Sequence, residues 1–193
     1  MTGKHMLKTT LIVIGSIVIL ASALLSFQAG VFDRIKFVEE NRGPYNLVYK
    51  KYKGSYSAAG YRIKDVYHYV KTVKKIDSVH GGFSVFYDNP QKTRSDSLRS
   101  ICGVFTDSLI SADAPYKAAL YGKSNCIVGK FPLRSYFSYM SGINKLYPAL
   151  EKYAKIKNTV INGPVMEVID TKKRSIIYIV SLSDTTSVPA FDQ

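Results

Sequence analysis

The segments IKDVYHYV (residues 63–70) and INKLYPAL (residues 143–150) carry apolar residues at the same four positions, 80 residues apart. Ile63, Val66, Tyr67 and Val70 stand at i, i+3, i+4 and i+7, as do Ile143, Leu146, Tyr147 and Leu150. This spacing puts one apolar stripe on each of two amphipathic helices. The same offset relates Val48 to Val128 and Tyr56 to Tyr136, so the repeat extends upstream of the helices. Each helix follows a strand-like run, residues 45–52 and 126–131, and precedes two more apolar, β-rich runs. These are residues 83–87 and 101–105 in the first half, and 165–169 and 176–182 in the second. The fold class is therefore α+β, with a strand–helix–strand–strand unit occurring twice. Two helices on small antiparallel sheets would enclose a groove at the pseudo-twofold junction. Pro148 removes a backbone donor inside the second helix and is expected to kink it after Tyr147.

Upstream of the repeat, residues 9–32 contain no charged side chain. As a helix this run would span about 36 Å, against about 30 Å for a bilayer hydrocarbon core. The expected organisation is a flank at 1–8, a transmembrane helix at 9–32, a linker at 33–43 and one domain at 44–193, with halves 44–107 and 124–184. A cleaved signal peptide competes with this reading, because Lys4 and Lys8 precede the run and Ala21, Ser22 and Ala23 resemble a cleavage site. Cleavage there would leave Leu24 and Leu25 exposed, and the apolar run continues to Phe32. Lys and Arg number two before the span and three just after it, which sets no orientation.

The chain has 193 residues, a formal charge of +13 and 46% hydrophobic residues. That is enough for an ordinary core, and the charge favours acidic partners or a well-solvated surface. The basic residues fall into separate groups: Lys50, Lys51 and Lys53; Lys71, Lys74 and Lys75; and Lys172, Lys173 and Arg174. No nucleic-acid motif frames them, so nucleic acid is not an expected partner. Cys102 and Cys126 fit no zinc or redox spacing and are either bonded to each other or buried as free thiols. His5, His68 and His80 form no ligand pair, so no metal is expected. Nucleotide and nucleophile-elbow motifs are absent as well, so neither a cofactor nor a catalytic residue is assigned.

Aromatic residues are abundant instead, with 15 tyrosines, 9 phenylalanines and no tryptophan. A tyrosine ring with its hydroxyl suits a groove for hydrophobic ligands. Tyr56 and Tyr136, and Tyr67 and Tyr147, are paired by the repeat and are candidate groove residues. The plainer alternative is that Tyr67 and Tyr147 only pack their helices onto the sheet. Glu167 interrupts an apolar strand and shares its face with Val165 and Ile169. A carboxylate there either meets a partner in the groove or lies exposed on an edge strand.

The stretches VYKKYKGSYSAAGYRI (48–63), VFYDNPQKTRSDSLRSICG (85–103), KLYPALEKY (145–153), MEVID (166–170) and SVPAF (187–191) resemble the GyrI-like small-molecule-binding superfamily. Within it, the chain is most similar to the testis-expressed, membrane-anchored receptors for endoplasmic-reticulum turnover. The resemblance implies an effector-binding fold with an acidic residue in its groove, a role that would fall to Glu167. Hydrolases of the superfamily pair such a glutamate with a tryptophan, which this chain lacks. The chain ends at Gln193 without the long tail by which those receptors recruit the autophagy machinery, so receptor function is not carried over.

The expectation is thus a single-pass membrane protein, anchored in the lipid bilayer through residues 9–32, that binds a small hydrophobic or amphipathic molecule, cationic ones included. A non-catalytic scaffold for a protein partner is the alternative, and a hydrolase using Glu167 a second one.

Overall fold

The computed structural model describes residues 2–161, 163–182 and 188–191. Ser187, the first residue of the SVPAF stretch, lies outside them, as do residues 183 and 184 at the end of the expected second half. The chain opens with helix α1 (Thr2–Gln28), of which His5–Gln28 is long and apolar enough to cross a membrane and is not buried against the rest of the protein. The remainder is an eight-stranded antiparallel sheet with two helices: β1 (Lys36–Arg42), β2 (Tyr45–Lys53), α2 (Ala59–His68), β3 (Val79–Phe86), β4 (Arg99–Thr106), β5 (Lys117–Tyr121), β6 (Ser124–Pro132), α3 (Tyr136–Lys157), β7 (Val165–Asp170) and β8 (Ser175–Ser181). The strand order is β1-β6-β8-β7-β3-β4-β2-β5.

Both helices lie on one face. Val48 and Val104 pack with Val66 of α2 and Val70 of the turn that follows it, while Val165, Ile176 and Val180 pack with Ile143, Leu146 and Leu150 of α3. The stripes read from the sequence are therefore the core faces of the helices, except at Tyr67, which is exposed. Gly82 of β3 lets α2 approach closely, since a Cβ there would lie 2.5 Å from Ile63 Cγ2. On the other face, Leu47, Phe83, Val85, Ile101, Phe105, Met166 and Ile179 form one cluster with Tyr121 and Val128. The sheet curls so far that Tyr121 of edge strand β5 meets Cys126 of β6, with the hydroxyl 3.4 Å from the sulfur.

Several expectations are corrected. Residues 33–43 are not a free linker, because β1 pairs along its length with β6. Val48 and Val128 are not equivalent: Val48 faces α2, and Val128 faces the opposite core. Strands β2 and β6 begin 79 residues apart rather than 80, and in a strand one residue of slip reverses the face. Ile127 stands where Val128 was expected, paired with Val180 on the α3 face. Helix α3 runs unbroken through Pro148, from the Ser135–Ser138 capping box to a left-handed C-cap at Asn158. Helix α2 ends in a π-helical turn, Tyr69–Val73. Cys102 and Cys126 are free, buried thiols on β4 and β6.

Candidate functional site

The register of the four central strands sets the site. Cys102 pairs with Ser84, Ser84 with Glu167, and Glu167 with Tyr178, so these side chains form a row across β4, β3, β7 and β8. Alternation turns the row toward the helices, since Glu167 shares a face with Val165. Glu167 is fully buried on an interior strand, which removes the exposed-edge alternative. Its Oε1 accepts a hydrogen bond from the Tyr139 hydroxyl of α3 at 3.2 Å. Its Oε2, the Ser84 hydroxyl and the Tyr178 hydroxyl are buried without a hydrogen-bond partner.

Three adjacent buried polar groups without partners are costly, roughly 1–3 kcal/mol each. Burial pushes the Glu167 carboxyl up to about 8, with the Tyr139 hydrogen bond opposing the shift. The same burial drives the Tyr139 and Tyr178 hydroxyls upward, the negative charge of Glu167 adding to it, so both stay protonated donors. Burial also raises the Cys102 thiol, to about 11. Helix α3 accommodates the Tyr178 hydroxyl at Gly142, where a Cβ would lie 2.5 Å from it.

Above this row, between α2 and α3, is a cavity of about 490 Å³ whose lining includes Tyr61, Lys64, Leu133, Arg134, Tyr136 and Tyr139. Tyr139 belongs both to its wall and to the hydrogen bond on Glu167, so that one side chain links the cavity to the carboxylate. The adjoining open groove, about 770 Å³, shares Gly60, Lys64 and Ile169 with it and continues past Tyr67 to Lys172 and Lys173.

The candidate tyrosines are distributed around this arrangement. Tyr136, largely exposed, stands in the cavity wall, and Tyr67 lines the adjoining groove. Tyr56 and Tyr147 meet elsewhere, where both hydroxyls donate to the Asp88 carbonyl at 3.0 and 2.9 Å, and Tyr147 and Asp88 line a separate pocket of about 250 Å³. Tyr56 also stacks on Phe86, with ring centroids 4.2 Å apart. Burial raises both hydroxyls above the ordinary range. They tie the first half to the second, and neither lines the cavity beside Tyr139. The sequence alone does not single out Tyr139, Tyr178 or Ser84. Tyr178 could have been found from its place between Ile176 and Val180, where an inward-facing hydroxyl calls for a partner. Among the described residues, no cluster of His, Cys, Asp and Glu could hold a metal ion.

No protein-family model matches the chain, and no curated protein does. Solved structures do. The chain is similar to EcmrR in a cryo-EM structure of its DNA complex, at TM-score 0.59 and 10% identity over 92% of this chain and 69% of that one. It is similar to the crystallised C-terminal domain of EcmrR, at TM-score 0.59 and 7% identity over 76% and 96%. An uncharacterized conserved protein from Listeria innocua matches at TM-score 0.51 and 9% identity, over 76% and 92%. At these identities the shared property is the fold, an α+β architecture.

Proposed function

We propose that this chain is a single-pass, membrane-anchored GyrI-like module that binds a hydrophobic cation between α2 and α3, with Glu167 as counter-charge. The carrying observation is the fully buried carboxylate with one unpartnered oxygen, its other oxygen held by Tyr139, a residue that also lines an aromatic-walled cavity. An ammonium or phosphonium that displaces the Tyr139 hydroxyl would meet a charge strengthened by its dry surroundings. Tyr136 and Tyr67 are read as lining the entry, and Tyr56 and Tyr147 as joining the two halves through Asp88. Two strand–helix–strand–strand units, ordered symmetrically about the β7–β3 seam, support an internal duplication. The quoted stretches and the position of α1 support a place beside the endoplasmic-reticulum turnover receptors. The fold leaves nucleic acid open as a partner, since one neighbour was solved with DNA.

Tetraphenylphosphonium is a suitable probe because its charge does not titrate. Binding to the full chain in detergent is measured by calorimetry from pH 6 to 9. A cation needs Glu167 ionised, so affinity should rise up to about tenfold per pH unit and level off above pH 8. Glu167→Gln should abolish both the affinity and its pH dependence. A ligand that accepts a hydrogen bond from the protonated carboxyl would show the opposite trend. Equal binding by Glu167→Gln would sink the counter-charge reading and favour a protein-interaction scaffold. Consumption of an electrophilic ligand, lost in the same variant, would favour the hydrolase.

A further inference from the structure

The junction between α1 and the domain is built from the rim of the cavity. Arg134, in the cavity wall, donates to the Phe27 carbonyl at 3.2 Å, lies over the Phe27 ring at 4.4 Å and pairs with Asp33. Ser135, also in the wall, donates to the Gln28 carbonyl at 3.0 Å. Ten residues further along α3, Lys145 donates to the carbonyls of Gly30, Val31 and Asp33 at 2.6–2.8 Å. Tyr153, near the end of α3, donates to Glu39 of β1 at 2.9 Å. The chain leaving α1 therefore runs along α3 from its first turn to its last. The N-terminal end of α3 is held against the end of α1, and its C-terminal end is carried about 30 Å away.

The surface around that junction has the composition of a membrane boundary. Phe32, Tyr61, Tyr136 and Phe137 are exposed aromatics beside the cavity mouth or the end of α1. The β7–β8 turn supplies Lys172, Lys173 and Arg174, all exposed, and is joined to Leu133 through the Arg174 carbonyl. Lys64 adds a further exposed cation across the mouth. Its nearby acids are engaged, Asp33 by Arg134 and Asp170 by Lys173. Aromatic rings and cations at the end of an apolar helix match the headgroup layer of a bilayer carrying anionic lipid.

We infer that the cavity between α2 and α3 opens into the lipid headgroup layer, so that its ligand is an amphiphile dissolved in the membrane interface. This rests on the reading of the cavity as a ligand site and of α1 as a span. An apolar tail can then stay among the lipids while the head passes Tyr136 and Tyr139.

The test places one fluorophore at a time on the full chain, at Tyr61→Cys and Phe137→Cys beside the mouth and at Ile156→Cys near the far end of α3. All three positions are exposed, whereas the native Cys102 and Cys126 are buried and escape labelling. Each variant is reconstituted in phosphatidylcholine–phosphatidylserine vesicles containing a headgroup-nitroxide lipid. Quenching at both mouth sites should exceed that at Ile156 several-fold. Quenching at Tyr61 no stronger than at Ile156 overturns the inference, even if Phe137 is quenched, because the mouth would then face water. No ligand enters the measurement, so its result is independent of whether tetraphenylphosphonium binds.

Discussion

A glutamate at the centre of a sheet, with one oxygen unused, lowers the stability of the protein that carries it. Its carboxyl titrates at about 8 when folded and at about 4.5 when unfolded. Below that lower value both states hold the proton. Between the two values the unfolded chain releases a proton that the folded chain keeps, so stability falls as pH rises, by at most about 1.4 kcal/mol per unit. Unfolding of the full chain in detergent at pH 5 to 8 should show this decline, and Glu167→Gln should flatten it. Glu167 could be recognised in the sequence because a carboxylate in VMEVI contradicts its surroundings. Tyr139 and Ser84 could not, because their meeting with Glu167 depends on strand register and on the roll of α3, which no single segment specifies. The four tyrosines paired by the repeat part company in the fold: Tyr136 and Tyr67 line the cavity and its groove, while Tyr56 and Tyr147 meet at Asp88.

The six strands with strong apolar runs lie within a few residues of their expected bounds. The two that escaped are β1 and β5, whose sequences, KFVEENR and KAALY, are polar or short and belong to the sheet edges. Edge strands need bury little, so they leave a weak hydrophobic signal. Packing between elements is where the glycines act. Gly142→Ala should stabilise an isolated helix by up to about 1 kcal/mol, yet in this protein the new methyl meets the Tyr178 hydroxyl and Phe131. The expected net result is destabilisation by about 1–3 kcal/mol, read as a lowered denaturation midpoint. At the α1 junction, Lys145→Met removes the donor to three carbonyls while keeping its apolar stem. Amide exchange of residues 30–33 should then quicken by about tenfold or more, the equivalent of about 1.4 kcal/mol. Unchanged exchange would mean that Arg134 and Ser135 hold the junction alone.

Taken as a molecule, the protein is one curled sheet with two helices on its outer face and a cavity between them, next to the exit of α1. A ligand at 100 times its dissociation constant should stabilise the native state by about 2.7 kcal/mol. For a chain of this length that corresponds to a melting shift of about 5–10 °C, measurable by scanning calorimetry in detergent. The shift should be absent in Glu167→Gln if the counter-charge carries the affinity.

The pairing of β1 with β6 has a further consequence for how far the domain can search. A flexible leash of residues 33–43 would let it wander about 18 Å from its exit point. With those residues woven into the sheet, the domain turns only as the helix beneath it turns. In the proposed membrane-anchored form, anything that engages it from the aqueous side must arrive at one fixed height and with its own contact surface already facing the right way.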